Sequence, residues 1–524
     1  EVTGSRIKRM SEVAPTPVTV ISGVDLTNAG ITNVADLLQN LPSSAKGSAP
    51  TTTTNSIFGA GINTTDLRDL GPERTLVLVN GRRFVSASPT NSSVNLNSIP
   101  STVIDRIEVV HGGASAVYGS DAVAGVVNII LKKSHDGVSV DYLKSNPEQD
   151  GGDEDFFNIT LGNEGEDTSF ILNLSYSEIG QLKEGQRDFI LNPVTSMRNP
   201  ANNGGEDGLP DRIKFDRHTT LGLYDTKGDS YINGVHYAFG PDGELIPFNI
   251  GDGPLPAPNS PFYNLGDADG YNFVENGYIA TPLKRFNVFS TINHELNDDH
   301  RMSFEFALGK DTSHSEASPA FLGKSIRADN AFWHSSAREI LDANYDPSDL
   351  LTVYKLANDF GNRKFEDDRL MLNGTLAFEG ILFEDYDYTF YIQEGMNKTE
   401  TLWHGEILNQ ELDYALDAVE IDGVIRCALR DHEGNLLGAR DGCSPLNLFG
   451  EGAASQEAFD YVSTTAQLNM KKQQRVIGGT ISGYAFELPA GGVSFALSAE
   501  YREEKAESNP GTAMAKNMIF NNFV

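Results

Sequence analysis

The sequence predicts an α+β domain followed by an antiparallel β-barrel of the membrane-spanning kind. Three observations predict it. Short helices and apolar strands mix over residues 1–135, paired alternating segments follow, and the connections between those pairs fall into a short class and a long class. The composition agrees with that reading. The chain has 524 residues, 39 % hydrophobic and 22 % charged, so it is neither a disordered acidic tail nor a helical membrane protein. Its net charge of −33 excludes a nucleic-acid binder, which needs a basic face. No window approaches the ~18 uninterrupted apolar residues of a spanning helix, but membrane strands leave only a weak alternating signal.

In the first region, Ser22-Gly23-Val24-Asp25 matches a capping box and predicts a helical turn. Val34, Leu37, Leu38 and Leu41 then recur at helical spacing, with Thr32 or Asn33 as cap and Pro42 as stop. Residues 43–64 read as a polar loop with Ile57 and Phe58 at its tip. Thr75-Leu76-Val77-Leu78-Val79 reads as a strand ended by the turn pair Asn80-Gly81. Residues 86–98 form a second polar loop. Two further strands, 107–110 and 126–130, flank Gly112-Gly113-Ala114-Ser115-Ala116-Val117-Tyr118-Gly119. That stretch lacks the Gly-Lys-Ser/Thr and Rossmann spacings, so small residues packing a tight turn explain it better than a phosphate site. Gly59-Ala60-Gly61 fails the dinucleotide test likewise.

After residue 135 the period changes to two. Phe157, Ile159 and Leu161 alternate with polar residues, and after a turn Phe170, Leu172, Leu174 and Tyr176 do the same. The unit recurs at Met302, Phe304, Phe306 and Leu308, which alternate with Ser303, Glu305 and Ala307. It recurs again at 370–378 with 386–392, and at 474–486 with 493–501. Short turns fall near 163–167, 297–300, 381–384 and 487–492. Long loops run at about 180–281, 312–363 and 399–465. Segregation of that kind suits a barrel with short turns on one side of a membrane and long loops on the other. A soluble, secreted β-rich protein, carbohydrate-active or adhesive, is the competing reading. About nine strands are present.

Cys427 and Cys443 enclose fifteen residues, and a disulfide there is expected to stabilise by about 3 kcal/mol; two free or metal-binding thiols are the other reading. No H-E-x-x-H or G-x-S-x-G occurs, and the two cysteines lack a histidine constellation. Asp267-Ala268-Asp269-Gly270 begins like a calcium loop but lacks its closing Glu. No catalytic residue, metal or cofactor is expected.

Several motifs resemble the plug of TonB-dependent outer-membrane receptors. They are Pro17-Val18-Thr19-Val20-Ile21, Val34-Ala35-Asp36-Leu37-Leu38, Leu67-Arg68-Asp69-Leu70-Gly71 and Leu76-Val77-Leu78-Val79-Asn80-Gly81-Arg82-Arg83. With them stand Ile104-Asp105-Arg106-Ile107-Glu108-Val109-Val110, Ala116-Val117-Tyr118-Gly119-Ser120 and Ala124-Gly125-Val126-Val127-Asn128. Pro445-Leu446-Asn447-Leu448-Phe449-Gly450 resembles an outer-loop element of some members. The resemblance implies a plug, residues 1–135, inside a 22-stranded barrel, of which residues 136–524 are the N-terminal portion. It implies active import of a scarce nutrient across the bacterial outer membrane, the ligand held by outer loops and plug apices. TonB and its inner-membrane energy complex are the implied partners, with outer-membrane lipid around the barrel and a surface lipoprotein as an open further partner.

Residue by residue, Glu1, Val2 and Thr3 resemble the tail of the TonB-coupling segment, which pairs by strand addition. Arg68 matches an arginine that ties plug to barrel, and Glu500 is a candidate wall carboxylate. His111 stands where the family's second arginine is expected, and a neutral imidazole cannot replace a permanent charge. Phe58, Phe84 and Asn91, on the two plug loops, are expected to touch the ligand. A ferric siderophore is the leading substrate class; an oligosaccharide or peptide is the other.

Overall fold

The computed structural model describes residues 17–45, 59–88, 91–112, 114–187, 194–198, 212–216, 227–248, 262–263, 277–383, 385–489 and 491–519. The N-terminal region is built on a five-stranded sheet of β1 (Val18–Ser22), β2 (Thr75–Val79), β3 (Arg82–Arg83), β4 (Ile104–Val110) and β5 (Gly125–Leu131), in the order β1-β4-β5-β2-β3. Only the β2–β5 pair is parallel. β2 is buried along its whole length, which is why it reads as a continuous apolar run rather than an alternation. Asn80 and Gly81 both take positive φ, 51° and 75°, closing the tight turn that the Asn-Gly pair predicts. Helix α1 (Gly23–Asn28) follows Ser22, whose Oγ accepts from the Val24 N–H. Helix α2 (Val34–Gln39) is capped by Asn33, whose Oδ1 accepts from the Ala35 N–H at 3.0 Å.

The rest of the described chain is dominated by one antiparallel sheet of nine strands: β6 (Gly137–Ser145), β7 (Glu154–Glu164), β8 (Thr168–Ile179), β9 (Leu283–Asn297), β10 (His300–Ala317), β11 (Arg363–Leu382), β12 (Tyr386–Ile407), β13 (Ser463–Leu488) and β14 (Gly491–Pro510). Each pairs with its sequence neighbour, so the sheet is a meander, part of a barrel wall. Two-residue side-chain alternation splits its faces. Phe304, Phe390, Ile392, Leu497 and Tyr501 point away from the N-terminal domain and are exposed. Asn287, Asp311, Arg369, Gln393 and Gln474 point toward it and are buried. An apolar outer face over a polar inner face is inverted relative to a soluble sandwich.

The turns split as their sequences predict. At one end the strands join through a few residues, as at Asn297–His300. At the other end the connections are long, but they run at 180–282, 318–362 and 408–462, because the ladders continue past the last apolar residue. β10 stays paired through Thr312, Ser313 and His314, and β13 reaches 26 residues. A strand of about 9–11 residues suffices to cross a membrane, and these ladders are longer than that.

Those projecting ends carry a separate folded cap. The strands Leu245–Pro247, Val235–Phe239, Asp229–Ile232, Leu350–Leu356 and Phe321–Arg327 form a second five-stranded sheet. Helices α3 (Ser335–Asn344), α4 (Asn409–Leu416) and α5 (Gln456–Val462) pack beside it around Trp333, Leu341, Leu412 and Val462. The Pro445–Gly450 motif supplies its centre: Leu446, Leu448 and Phe449 are buried, and Phe449 stacks on Trp333 at 4.2 Å. Buried Lys355 donates to the Gly450 carbonyl at 2.8 Å and pairs with Asp359 at 2.6 Å. Cys427 and Cys443 are joined as a disulfide at the edge of this cap.

Candidate functional site

The boundary between the N-terminal domain and the wall is where the two halves of the fold can act on one another. Its contacts form two clusters at different heights along the wall strands.

The upper cluster centres on Arg369 of β11, which is 3 % exposed. Its guanidinium reaches Asp311 at 2.9 Å and Asp367 at 3.0 Å, and donates to the Ala60 carbonyl at 2.7 Å. The Ala60 N–H in turn donates to Asp367 Oδ2 at 3.1 Å, and Thr401 donates to the same carboxylate at 2.6 Å. Asn95 donates to Asp311 Oδ1 at 3.0 Å, and Asn287 donates to the Asn97 carbonyl at 3.1 Å. Asn97 ties this edge together inside the domain by donating to the Gly61 carbonyl at 2.9 Å. Of the glycines flanking Ala60, Gly61 therefore has a steric purpose. Gly61 has φ +70°, and a Cβ there would lie 2.7 Å from the Ser313 Cβ of the wall.

The lower cluster lies nearer the short turns. Arg82 of the N-terminal domain pairs with Glu305 of β10, Asn80 donates to the same carboxylate at 3.1 Å, and Arg82 lies 5.9 Å from the Tyr391 ring centroid. Burial lowers the Arg82 pKa, but Glu305 more than offsets it and leaves it above its ordinary value. Beside this pair opens a cavity of about 580 Å³, lined among others by Asn80, Arg82, Asn128, Phe289, Glu305 and Tyr391. Next to it Arg83 joins Asp121 at 2.5 Å and Glu500 at 3.6 Å, while Gln393 donates to the Arg83 carbonyl at 2.6 Å. The side-chain carbonyl oxygens of Asn287, Asn373 and Asn397, along the same boundary, have no protein partner among the described residues. Buried acceptors of that kind are places for ordered water.

The structure places the expected site residues as follows. Arg68 makes no ion pair among the described residues. It is exposed with φ +62°, and its guanidinium lies over Gly112, where a Cβ would come within 2.7 Å of it. Among the described residues Glu500 pairs with Arg83 of β3, not with Arg68. His111 stays inside the N-terminal domain, 2.9 Å from the Thr19 hydroxyl; burial and then the Arg68 charge hold its pKa below the usual value. Phe84 is 7 % exposed and packs with Val85, Phe289 and Met371 in a core shared by the domain and the wall, so it is not open to a ligand. Asn91 is exposed, and its Oδ1 accepts from the Ser93 N–H and hydroxyl, shaping its own turn. Phe58, Glu1, Val2, Thr3 and Asp267–Gly270 lie outside the described residues. Arg369, Asp311 and Asp367 fall in no motif and Arg82 ends the Leu76–Arg83 motif without an assigned role; the alternation marks only Glu305 as inward.

With this geometry in hand, comparison with known proteins places the domain. Residues 11–126 match the family model described as TonB-dependent Receptor Plug Domain. The N-terminal domain is thus a plug domain of that family. Among solved structures it is similar to a mutant of the ferric enterobactin receptor PfeA from Pseudomonas aeruginosa, at 13 % identity and a TM-score of 0.42, covering 96 % of this chain and 56 % of that one. It is also similar to the siderophore receptor PirA from Acinetobacter baumannii, at 15 % identity and a TM-score of 0.41, covering 94 % and 54 %. The chain spans little more than half the length of these structures. Among the described residues no helix is long and apolar enough to cross a membrane.

Proposed function

We propose that the complete protein is an energy-coupled importer of the bacterial outer membrane, with residues 1–135 as its plug and residues 136–524 as the first part of a 22-stranded barrel. One observation carries the reading: a plug held by buried charges against the polar face of a wall whose other face is apolar. A plug seated this way blocks passive diffusion, so transport needs work done on it. In this reading TonB and its inner-membrane complex supply that work through the segment ahead of β1, where Glu1, Val2 and Thr3 stand. The folded cap then lies outside the cell and receives the substrate together with the plug loop ahead of Ala60. A ferric siderophore is the class to try first. Nothing in the arrangement calls for a catalytic step.

The test is quantification of the protein in outer-membrane fractions of iron-replete and iron-starved source cells, with uptake of ⁵⁵Fe-siderophore in cells with and without TonB. A rise on starvation and TonB-dependent uptake are expected. Unchanged abundance and no iron uptake would move the substrate to an oligosaccharide or peptide. Recovery of the protein only from the soluble fraction would sink the importer itself.

A further inference from the structure

Two turns of this molecule share one shape and differ in what surrounds them. Asn80-Gly81 in the plug has φ values of 51° and 75°, and Asn233-Gly234 in the cap has 52° and 76°. Each closes a two-residue hairpin, between Val79 and Arg82 in one case and Ile232 and Val235 in the other. In an Asn-Gly pair the side-chain amide is open to attack by the following main-chain nitrogen, because glycine has no side chain to obstruct it. The surroundings of the asparagine then decide whether that reaction proceeds. Asn203-Gly204 and Asn276-Gly277 lie outside the described residues.

At Asn80 every group involved is held. Its Oδ1 accepts from the Leu131 N–H at 2.9 Å, its Nδ2 donates to Glu305 at 3.1 Å, and the Gly81 N–H donates to Asn128 Oδ1 at 2.9 Å. Asn373-Gly374 is guarded differently. Asn373 is buried, and Gly374 sits in the ladder between Phe306 and Glu394. Asn233 has neither protection. It is exposed, and its side-chain amide makes no hydrogen bond among the described residues. The Gly234 N–H makes none among them either, and a Cβ built on Gly234 would meet nothing within 4 Å. What is fixed is the main chain, where the Asn233 N–H donates to the Tyr345 hydroxyl at 2.7 Å.

We propose that Asn233 is a site of spontaneous covalent modification, deamidating through a cyclic imide formed with Gly234. The Gly234 nitrogen gives up its proton and attacks Cγ of Asn233. The Cγ–Nδ2 bond breaks, and the departing nitrogen takes up a proton and leaves as ammonia. Water then adds to either carbonyl of the ring and opens it to aspartate or isoaspartate; no oxidant or reductant takes part. Both products place a new carboxylate at the tip of the cap. Isoaspartate also routes the main chain through Cβ, lengthening a turn that only two residues span. That turn sets the pairing of Tyr231 with His236, whose rings stack at 4.1 Å, with Phe248 stacked on His236 at 3.9 Å. Tyr231 is 60 % exposed, so this aromatic column is the part of the cap that the modification loosens. None of this chemistry requires that the chain sit in a membrane.

The test is peptide mapping of the purified protein, aged at neutral and mildly alkaline pH in ¹⁸O-enriched water, resolving Asn, Asp and isoaspartate at each position. In the folded protein Asn233 should react on the order of 10- to 100-fold faster than Asn80, whose hydrogen bonds must first be released. Asn373 should also lag behind Asn233. In urea the three should converge, because the dipeptide is the same. The product at Asn233 should contain isoaspartate and carry ¹⁸O, and hydrogen exchange over residues 229–239 should quicken as it accumulates. Asn233→Gln, whose longer side chain disfavours ring closure, should keep its exchange slow through the same ageing. Equal rates at Asn233 and Asn80 in the folded protein would overturn the site. Aspartate without isoaspartate would overturn the attack by Gly234, since direct hydrolysis bypasses it. Unchanged exchange in the modified protein would overturn the loosening of the column. The wild-type comparison decides the site even if Asn233→Gln folds poorly.

Discussion

The two plug–wall clusters use the same chemistry and differ in who lends it. In the upper one the wall offers an arginine flanked by two carboxylates, and the plug answers largely with its main chain at Ala60 and Asn97. In the lower one the plug offers Arg82, and the wall answers with one carboxylate beside a cavity of about 580 Å³. The first has its arginine and both carboxylates engaged with one another and with the plug. The second can exchange its contact for water at little cost, because the solvent is already next to it. Under the proposed import mechanism, a plug that stays seated at rest and is displaced by work is served by one contact of each kind.

The comparison breaks most severely at Arg369. Arg369→Ala leaves Asp311 and Asp367 buried without a counter-charge, a loss of about 3–5 kcal/mol. Heat-modifiability of the purified protein and protease resistance of the plug should both collapse. The disulfide is the next largest effect and falls elsewhere. Cys427→Ser with Cys443→Ser should cost the cap about 3 kcal/mol in the chain-entropy model. Limited proteolysis should then nick the cap while the plug remains protected. Glu305→Gln should be milder than either, about 1.5–3 kcal/mol, because cavity water can solvate Arg82 once its partner is neutral. Its signature is faster hydrogen exchange at residues 79–83 with residues 60–65 unchanged.

The smallest effect is on pH. The pKa of His111 is lowered in the folded protein, so the unfolded chain binds the extra proton first. Stability is then complete above the free-imidazole value of about 6.5 and falls as the pH drops through it. Protection of β1 against exchange should decline below that pH, and His111→Gln should flatten the decline.

Much of this fold is legible in the sequence because periodicity carries it. The Val34–Leu41 spacing, the Asn80-Gly81 turn and the two-residue alternation each have a local cause that needs no tertiary context. Alternation even places Glu305 on the inward face, beside apolar neighbours that point out. What it cannot supply is a partner, since Arg82 lies 223 residues away from Glu305 in the chain and no local rule connects them. The motif likewise names no partner for Arg68 among the described residues. Arg68 is where the resemblance puts it, but the direction of its side chain is set by a left-handed turn over Gly112. Gly59-Ala60-Gly61 is legible only as a failed nucleotide motif; close backbone approach to the wall is what Gly61 permits. The cap was read as loop because its core is assembled from three distant connections, none of which is periodic alone.

Release order tests the account most directly. Gln393 lies under the Arg83 carbonyl and Asn287 under the Asn97 carbonyl, both nearly inaccessible. With Cys427 and Cys443 joined, a single Gln393→Cys or Asn287→Cys carries the one free thiol of residues 1–524. Each variant should be labelled with a maleimide in living cells, with and without a protonophore. The account predicts that energised cells label Gln393→Cys much faster while Asn287→Cys stays protected. Equal labelling of the two, or Asn287→Cys opening first, would contradict it.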